Sequence, residues 1–522
     1  MIQIQRLPIP PGYLLRMRRY RLKLITLPWE LEVPTLALAS LAAVTPKEFD
    51  IAIVDVLREQ LFLEEPTDLV GITASTPTIN AAYALADLYR ARGVTVVMGG
   101  HHITALPEEA LQHADAVVCG EGETSWRRIC EEFMVSPKKV QGIYRDVAPD
   151  LATLPPPRTD LLRNERYGAF TYPIIASRGC PEACGFCFAK RMTLGYRTYP
   201  IANVLEQIRR RPKWVRALYF VDDNLPADPD HARELFTALK KEKVPFGMQA
   251  RHEFSRDSGA LRMAHEAGCA LISSGYESVN QPSLDRQGKR ATAGDYREVI
   301  SEIFKAGIIP SGNWMFGFDQ DTPDTFARTL AFLDETDLMH SSFTTEIPFP
   351  GTAAWRKYKE EGRLLTENYA DYVGKDHVVV RPTAMTPKEL QDGIRWLARS
   401  YYSVPRAAKR LAKAYANPKL HTLGPAILKG PALAGLNVFQ VWQWHYRMFP
   451  PLQSFYQQLL TVYRYRYVMD RVRGTNFRDL PAPPKWVAPA GDATFHTAQG
   501  YSPSRAKRLK VRAGEVAAAP RP

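Results

Sequence analysis

The chain has 522 residues, 45% of them hydrophobic and 24% charged, with a formal net charge of +13. That length asks for two or three cores, and the composition is that of a globular protein, excluding a collagen-like or low-complexity chain. The basic excess gathers near the C-terminus in runs such as Arg505-Ala506-Lys507-Arg508-Leu509-Lys510, read as a solvated tail; no RNA-binding signature with interleaved aromatics accompanies it, so no nucleic-acid partner is expected.

The first residues lead into a Pro- and Arg-rich stretch, not an apolar run with a small-residue cleavage site. No apolar stretch is long enough to span a bilayer, the nearest being 430–444. A cytoplasmic location is therefore expected. Three of the six Cys fall in one short segment, which in such a chain reads as metal binding and not as a disulfide framework. Cys119, Cys130 and Cys269 lie in apolar surroundings and are expected to be small buried hydrophobes.

In chain order, residues 36–44 predict a helix, 50–56 (DIAIVDV) a strand, 69–73 (LVGIT) a strand and 79–92 a helix. Strands at 94–98 (VTVVM) and 116–119 follow. Strands apolar throughout and separated by helices predict a parallel sheet covered on both faces. Ligands of such sheets bind at the carboxyl ends of the strands, where the turns at Ser75, Gly99 and Gly120 fall. Residues 148–165 read as a linker, extended at Leu154-Pro155-Pro156-Pro157. A second series has strands at 172–176, 217–221, 246–250, 270–274, 313–317 and one more before Pro348. Its helices are at 201–210, 235–241, 296–306 and 325–335. This is a β/α repeat of roughly barrel size. The chain is thus read as α/β with domains at 1–147 and 166–384, a helical region at 385–480, and a Pro/Ala-rich tail at 481–522 that is expected to be disordered.

The segment Arg178-Gly179-Cys180-Pro181-Glu182-Ala183-Cys184-Gly185-Phe186-Cys187 has the spacing CxxxCxxC. Three thiolates in one loop hold three corners of an iron–sulfur cubane and leave one iron for an exchangeable ligand. A structural zinc site wants four closed ligands. With its aromatic residue before the last Cys, and its place after the first strand of a β/α barrel, this loop resembles that of the radical S-adenosylmethionine (SAM) superfamily over about residues 168–350. The resemblance implies a [4Fe–4S] cluster on Cys180, Cys184 and Cys187. SAM chelates the free iron, and reductive cleavage of SAM gives a 5′-deoxyadenosyl radical that abstracts a hydrogen atom from the substrate. It also implies SAM contacts from Phe186, Asp222, Asp223, Gln249, Arg251, Glu277, Ser278 and Phe318. An electron donor such as flavodoxin or ferredoxin is implied as a partner, beside a small-molecule substrate.

The N-terminal pattern DIAIVDV…VGITAST…VVMGGHHITALPEEA…ADAVVCGEGE is similar to the cobalamin-binding, Rossmann-like domain of the B12-dependent radical SAM subgroup. FGFDQDTPDTF, PFPGT and the Arg381-Pro382 region resemble the same subgroup, which includes radical methyltransferases and the anaerobic magnesium-protoporphyrin ester cyclase. The resemblance implies cobalamin lined by Ser75, Thr76, Gly99, Gly100, Gly120, Glu121, Gly122 and Glu123, facing a partial, TIM-like barrel. The DxHxxG motif that supplies a lower His ligand in many B12 proteins is absent: His101, His102 and His113 lack its Asp and Gly. Gly120-Glu121-Gly122 is incomplete as a dinucleotide fingerprint, and its acidic residues repel a pyrophosphate. The implied activity is a cobalamin-dependent methyltransferase acting on an unactivated carbon or a phosphinate. The alternatives are a cyclase or oxidase of the porphyrin-cyclase type, or another radical reaction beside a B12 fold without cobalamin. Residues 438–464 interleave aromatic and basic residues. They are read first as helices packed on the barrel, and second as a surface for peripheral membrane contact.

Overall fold

The computed structural model describes residues 19–27, 35–56, 58–162, 172–421 and 472–473. The helical reading of 422–480, the aromatic segment 438–464 and the tail 481–522 lie outside the described residues, apart from a two-residue strand at Val472–Arg473.

The first sheet has six parallel strands: β1 (Tyr20–Leu27), β2 (Phe49–Asp55), β3 (Leu69–Ala74), β4 (Thr95–Gly99), β5 (Ala116–Val118) and β6 (Gly142–Tyr144). Their order is β2-β1-β3-β4-β5-β6. This doubly wound order reverses between β1 and β3, which opens a crevice at the carboxyl ends of those strands. Alternate residues feed two cores. Val70, Ile72, Val96 and Met98 pack under the helix Ile79–Arg90. Leu24, Leu69, Val97 and Ala116 pack under Leu36–Val44 and Glu123–Val135. Both faces are covered, as the apolar strands predicted.

Sequence reasoning passed over β1, the central strand. Its run YRLKLITL carries Lys23, which breaks the apolar signal. The structure buries Lys23 to 6% exposure, and its ammonium donates to the carbonyl of Phe62 (2.8 Å) and pairs with Glu65 (2.8 Å). A buried cation needs such partners, and neither is visible from the strand itself.

The second sheet also has six parallel strands: β7 (Tyr172–Ile174), β8 (Leu218–Phe220), β9 (Phe246–Gln249), β10 (Cys269–Glu277), β11 (Ile309–Phe316) and β12 (His340–Thr345). They follow one another in sequence order, with β7 and β12 at the two edges. The result is an open arc with helices outside. The helix at Pro229–Glu242 starts earlier than its apolar pattern suggests, because Asp228 caps it by accepting from the amides of Asp230 and His231. Ile272, Trp314 and Phe343 face the helices. The opposite faces meet in two layers: Gln249, Ser273, Ser311 and His340, then Gly275, Asn313 and Ser342. Filled barrels carry bulky branched residues at such positions. Here they are mostly polar, and several bond one another: Asn313 donates to the Ser273 hydroxyl (3.1 Å), and the Ser311 hydroxyl meets His340 (2.9 Å).

The described part of 148–165 is no free linker. Leu151 joins the core of the second sheet and Leu162 that of the first, while the amide of Arg158 donates to the carbonyl of Ala39 (2.9 Å).

Trp126 is 1% exposed, lies against Gly71, and donates from its indole to the Thr45 hydroxyl (2.9 Å). Trp126→Ala is expected to cost about 3–5 kcal/mol, read as a lowered urea midpoint with an unchanged slope.

Candidate active site

The cysteine loop leaves the end of β7. A short antiparallel ribbon, Ser177–Arg178 against Arg197–Thr198, closes its base. Gly179 sits at φ +81°, and a Cβ there would lie 2.3 Å from the carbonyl oxygen of Gly195, so only glycine fits. The amide of Cys187 donates to the carbonyl of Cys184 (3.1 Å), and the amide of Ala189 donates to the Cys187 sulfur (3.5 Å). Burial raises all three thiols, Cys187 to about 11. Cys180 and Cys184 act electrostatically on Cys187, so the three share one field. Among the described residues no three His, Cys, Asp or Glu side chains converge on a single ion. A cubane asks for something else, since each of its three thiolates binds a different iron. Three free thiols on one loop fit that group.

The expected SAM residues gather around this loop, with differences. Phe186 and Phe318 lie 6.3 Å apart between ring centres. The charges of Arg251 and Asp223 act on Cys180. Asp222 departs from its expected role near the SAM amino group. Its carboxyl is buried and accepts from the Ser177 hydroxyl (2.6 Å) and the Ala176 amide (3.1 Å), so it ties β8 to the start of the cysteine loop. Burial pushes it up to about 7. Arg251 already donates to Glu253 (2.6 Å) and to the carbonyl of Arg290 (2.6 Å). Glu277 takes a positive φ of 62° and pairs with Lys289 (3.1 Å), while the Ser278 hydroxyl accepts from the Asn280 amide (3.0 Å). Gln249 ends β9 on the concave face.

On the corrin side, Ser75 and Thr76 follow β3 at the crevice. The Ser75 hydroxyl meets that of Thr78 (3.2 Å), and Thr76 meets the buried His102 (3.3 Å). Gly99 has room for a Cβ, whereas one at Gly100 (φ +113°) would lie 2.7 Å from Thr73. A side chain at Gly100 is therefore excluded by its own domain. Gly122 packs on Leu41. Glu121 departs most from its expected place. Its carboxylate is engaged by Arg178 (2.8 Å) and by Arg197, and Glu123 beside it takes Arg178 as well (2.5 Å). Gly120 faces the carbonyl of Met192. The strand-end loops of the first sheet thus abut the cysteine loop.

Sequence reasoning missed Arg178, Arg197 and His102 as partners between the two units, and it read Glu123 with residues 120–122 as lining the corrin, whereas Glu123 meets Arg178. It also missed Glu346, a buried carboxyl at the end of β12 that burial pushes up to about 7. The adjacency of Arg178 to Gly179-Cys180 and the acidic run at 121–123 were the available signals.

Arg178→Met leaves two buried carboxylates short of a partner and is expected to destabilise by about 3 kcal/mol or more in urea unfolding. Arg178→Lys, with no planar fork, is expected to recover only part. Asp222 gives a pH test. Its folded carboxyl keeps its proton to higher pH than an unfolded one. Stability therefore falls as pH rises from about 4 to about 7, and this contribution is flat above. Asp222→Asn keeps the acceptor and removes the slope, so its urea midpoint relative to wild type is expected to be higher at about pH 8 than at about pH 5.

Comparison with known proteins agrees with this geometry. Residues 174–333 match the radical SAM superfamily and residues 22–129 the B12 binding domain. The chain is 27% identical over 401 residues to bacteriochlorophyllide d C-8(2)-methyltransferase from Chlorobaculum tepidum, covering 74% of this chain and 88% of the relative. It is 25% identical to the anaerobic magnesium-protoporphyrin IX monomethyl ester cyclase of Cereibacter sphaeroides, over 66% of this chain and 61% of the cyclase. Its fold is similar to that of the radical SAM methyltransferase TsrM from Kitasatospora setae, solved with cobalamin and a [4Fe–4S] cluster bound. The TM-score is 0.56 at 16% identity, over 78% of this chain and 90% of that one. The chain thus carries the domain of a radical SAM enzyme and an N-terminal B12-binding domain, which imply a [4Fe–4S] cluster, SAM and cobalamin as cofactors.

Proposed function

We propose that this enzyme is a cobalamin-dependent radical SAM methyltransferase that methylates an unactivated carbon or a phosphinate. The observation that carries the reading is the abutment of the corrin-side turns on the cysteine loop, through Arg178 with Glu121 and Glu123. When bound, the cofactors supply a 5′-deoxyadenosyl radical and a transferable methyl group. The chain's own residues hold and orient them. Cys180, Cys184 and Cys187 are the iron ligands. Phe186 and Phe318 flank the adenine, and Asp223, Gln249, Arg251, Glu277 and Ser278 surround the rest of SAM. Ser75, Thr76, Gly99 and Gly120 border the corrin. The polar concave layers at Ser273, Asn313 and Ser342 take the substrate.

Methyl transfer is preferred to cyclisation because the methyltransferase relative is 27% identical over 74% of this chain and the cyclase 25% over 66%. That methyltransferase is named for a bacteriochlorophyllide, so a tetrapyrrole is the first substrate class to assay. The external electron donor is proposed to be a flavodoxin or ferredoxin.

Anaerobically reconstituted protein is expected to bind about four iron per chain and to show a cobalamin spectrum, with Cys180→Ala losing the iron. Reduced and given SAM, it is expected to release both 5′-deoxyadenosine and S-adenosylhomocysteine. Release of 5′-deoxyadenosine without S-adenosylhomocysteine would favour the cyclase reading, and release of neither would overturn both.

A further inference from the structure

We infer that Glu346 is a positioning residue for the cluster loop, acting through a closed hydrogen-bond circuit around Gly185; the inference rests on the cluster reading above. Gly185 lies between Cys184 and Cys187, and both polar groups of its backbone are held from outside the loop. Its amide donates to the carbonyl of Gln287 (2.9 Å), and its carbonyl accepts from the amide of Ala354 (3.1 Å). These two holders belong to separate segments. Gln287 follows the helix Gln281–Arg286, and Ala354 lies in the first turn of the helix Ala353–Glu360.

Glu346 joins the two. One carboxyl oxygen accepts from the side-chain amide of Gln287 (3.0 Å), and the other accepts from the hydroxyl of Tyr358 (2.6 Å) on the second helix. Its own amide donates to the carbonyl of Phe316 (2.8 Å), which anchors the joint to β11. The circuit runs Gly185, Gln287, Glu346, Tyr358, Ala354 and back to Gly185, and spans the cysteine loop from the far edge of the sheet.

A carboxyl is costly at this position. Glu346 is 3% exposed, and the neighbouring cations are taken up elsewhere, since both Lys357 and Arg363 pair with Asp319. An apolar residue would avoid the desolvation penalty. What the carboxyl provides is two acceptors aimed at two donors on two elements. The outer partners of metal ligands set ligand geometry in this way, and their loss typically costs 10–100-fold in metal affinity.

The test compares Glu346→Leu, Glu346→Gln and wild type as reconstituted holoproteins. It measures the rate of iron loss to a chelator and the electron paramagnetic resonance spectrum of the reduced cluster. Glu346→Leu is expected to lose iron about tenfold faster or more and to show a shifted, broadened spectrum. Glu346→Gln is expected to stay near wild type, because the Gln287 amide can turn to accept from it. A folded Glu346→Leu with wild-type iron loss and spectrum would overturn the inference, as would Glu346→Gln behaving like Glu346→Leu. Should Glu346→Leu fail to fold, Gln287→Leu and Tyr358→Phe each cut one arm. Intermediate rates would support the circuit, and wild-type rates in both would overturn it. Cys184→Ala separates the two levels: if it keeps its iron, the cluster reading fails, whereas if it loses iron and the circuit variants do not, only this inference fails.

Discussion

The arrangement depends on a small buried ion cluster. Arg178, with its side chain 11% exposed, meets Glu121 and Glu123, and Glu121 also meets Arg197. Two cations and two carboxylates close on one another, with the Arg178 guanidinium over the ring of Tyr199. Buried charges are tolerable only while every one is paired. The pairing joins a strand-end turn of the first sheet to the start of the cysteine loop and so marks where the domains meet. The meeting point is two residues before Cys180. The same contact that joins the domains therefore sets the base of the cluster loop and presents the corrin-side turn to it.

Other contacts hold the interface on its remaining sides. Gly351, in the Pro-Phe-Pro-Gly-Thr turn, has φ +86° and lies against Ala105 of the first domain. Its carbonyl accepts from Arg191 (2.9 Å), just beyond the last cysteine. That turn touches the first domain and the cysteine loop together, which gives the motif a physical role. Further out, Tyr369 sets its ring edge-on to His102 (4.5 Å), and Asn368 accepts from Asn80 (3.2 Å). Residues that follow the barrel thus reach back to the helix beside the corrin crevice. The radical chemistry of this family needs water kept from the reacting centre, and an interface tied on several sides serves that need.

Much of this was legible in the amino-acid order because it rests on local signals. The strands from 50 to 119 are apolar runs between turns, and CxxxCxxC needs only three residues. What was hidden rests on partners distant in sequence. Lys23 concealed β1 because its partners Phe62 and Glu65 lie beyond the next strand. Asp222 read as a ligand, since a polar residue at a strand end looks the same whether it faces a cofactor or, as here, Ser177. Glu121 read as lining a corrin because nothing local tells that it meets Arg178, which follows it by 57 positions. Gly100 read as room for a ring, yet its missing Cβ makes way for Thr73. For Asp222, Glu121 and Gly100 the partner seen in the structure is within the chain and is named by no local signal.

We propose that the corrin and the cluster share one site at the junction of the two sheets. The most direct measurement is pulsed electron paramagnetic resonance of reduced holoprotein containing both cob(II)alamin and the one-electron-reduced cluster. A dipolar interaction between the two spins is expected, weakened or heterogeneous in Arg178→Met. Two independent, uncoupled signals in the wild-type protein, with both cofactors fully loaded, would contradict it.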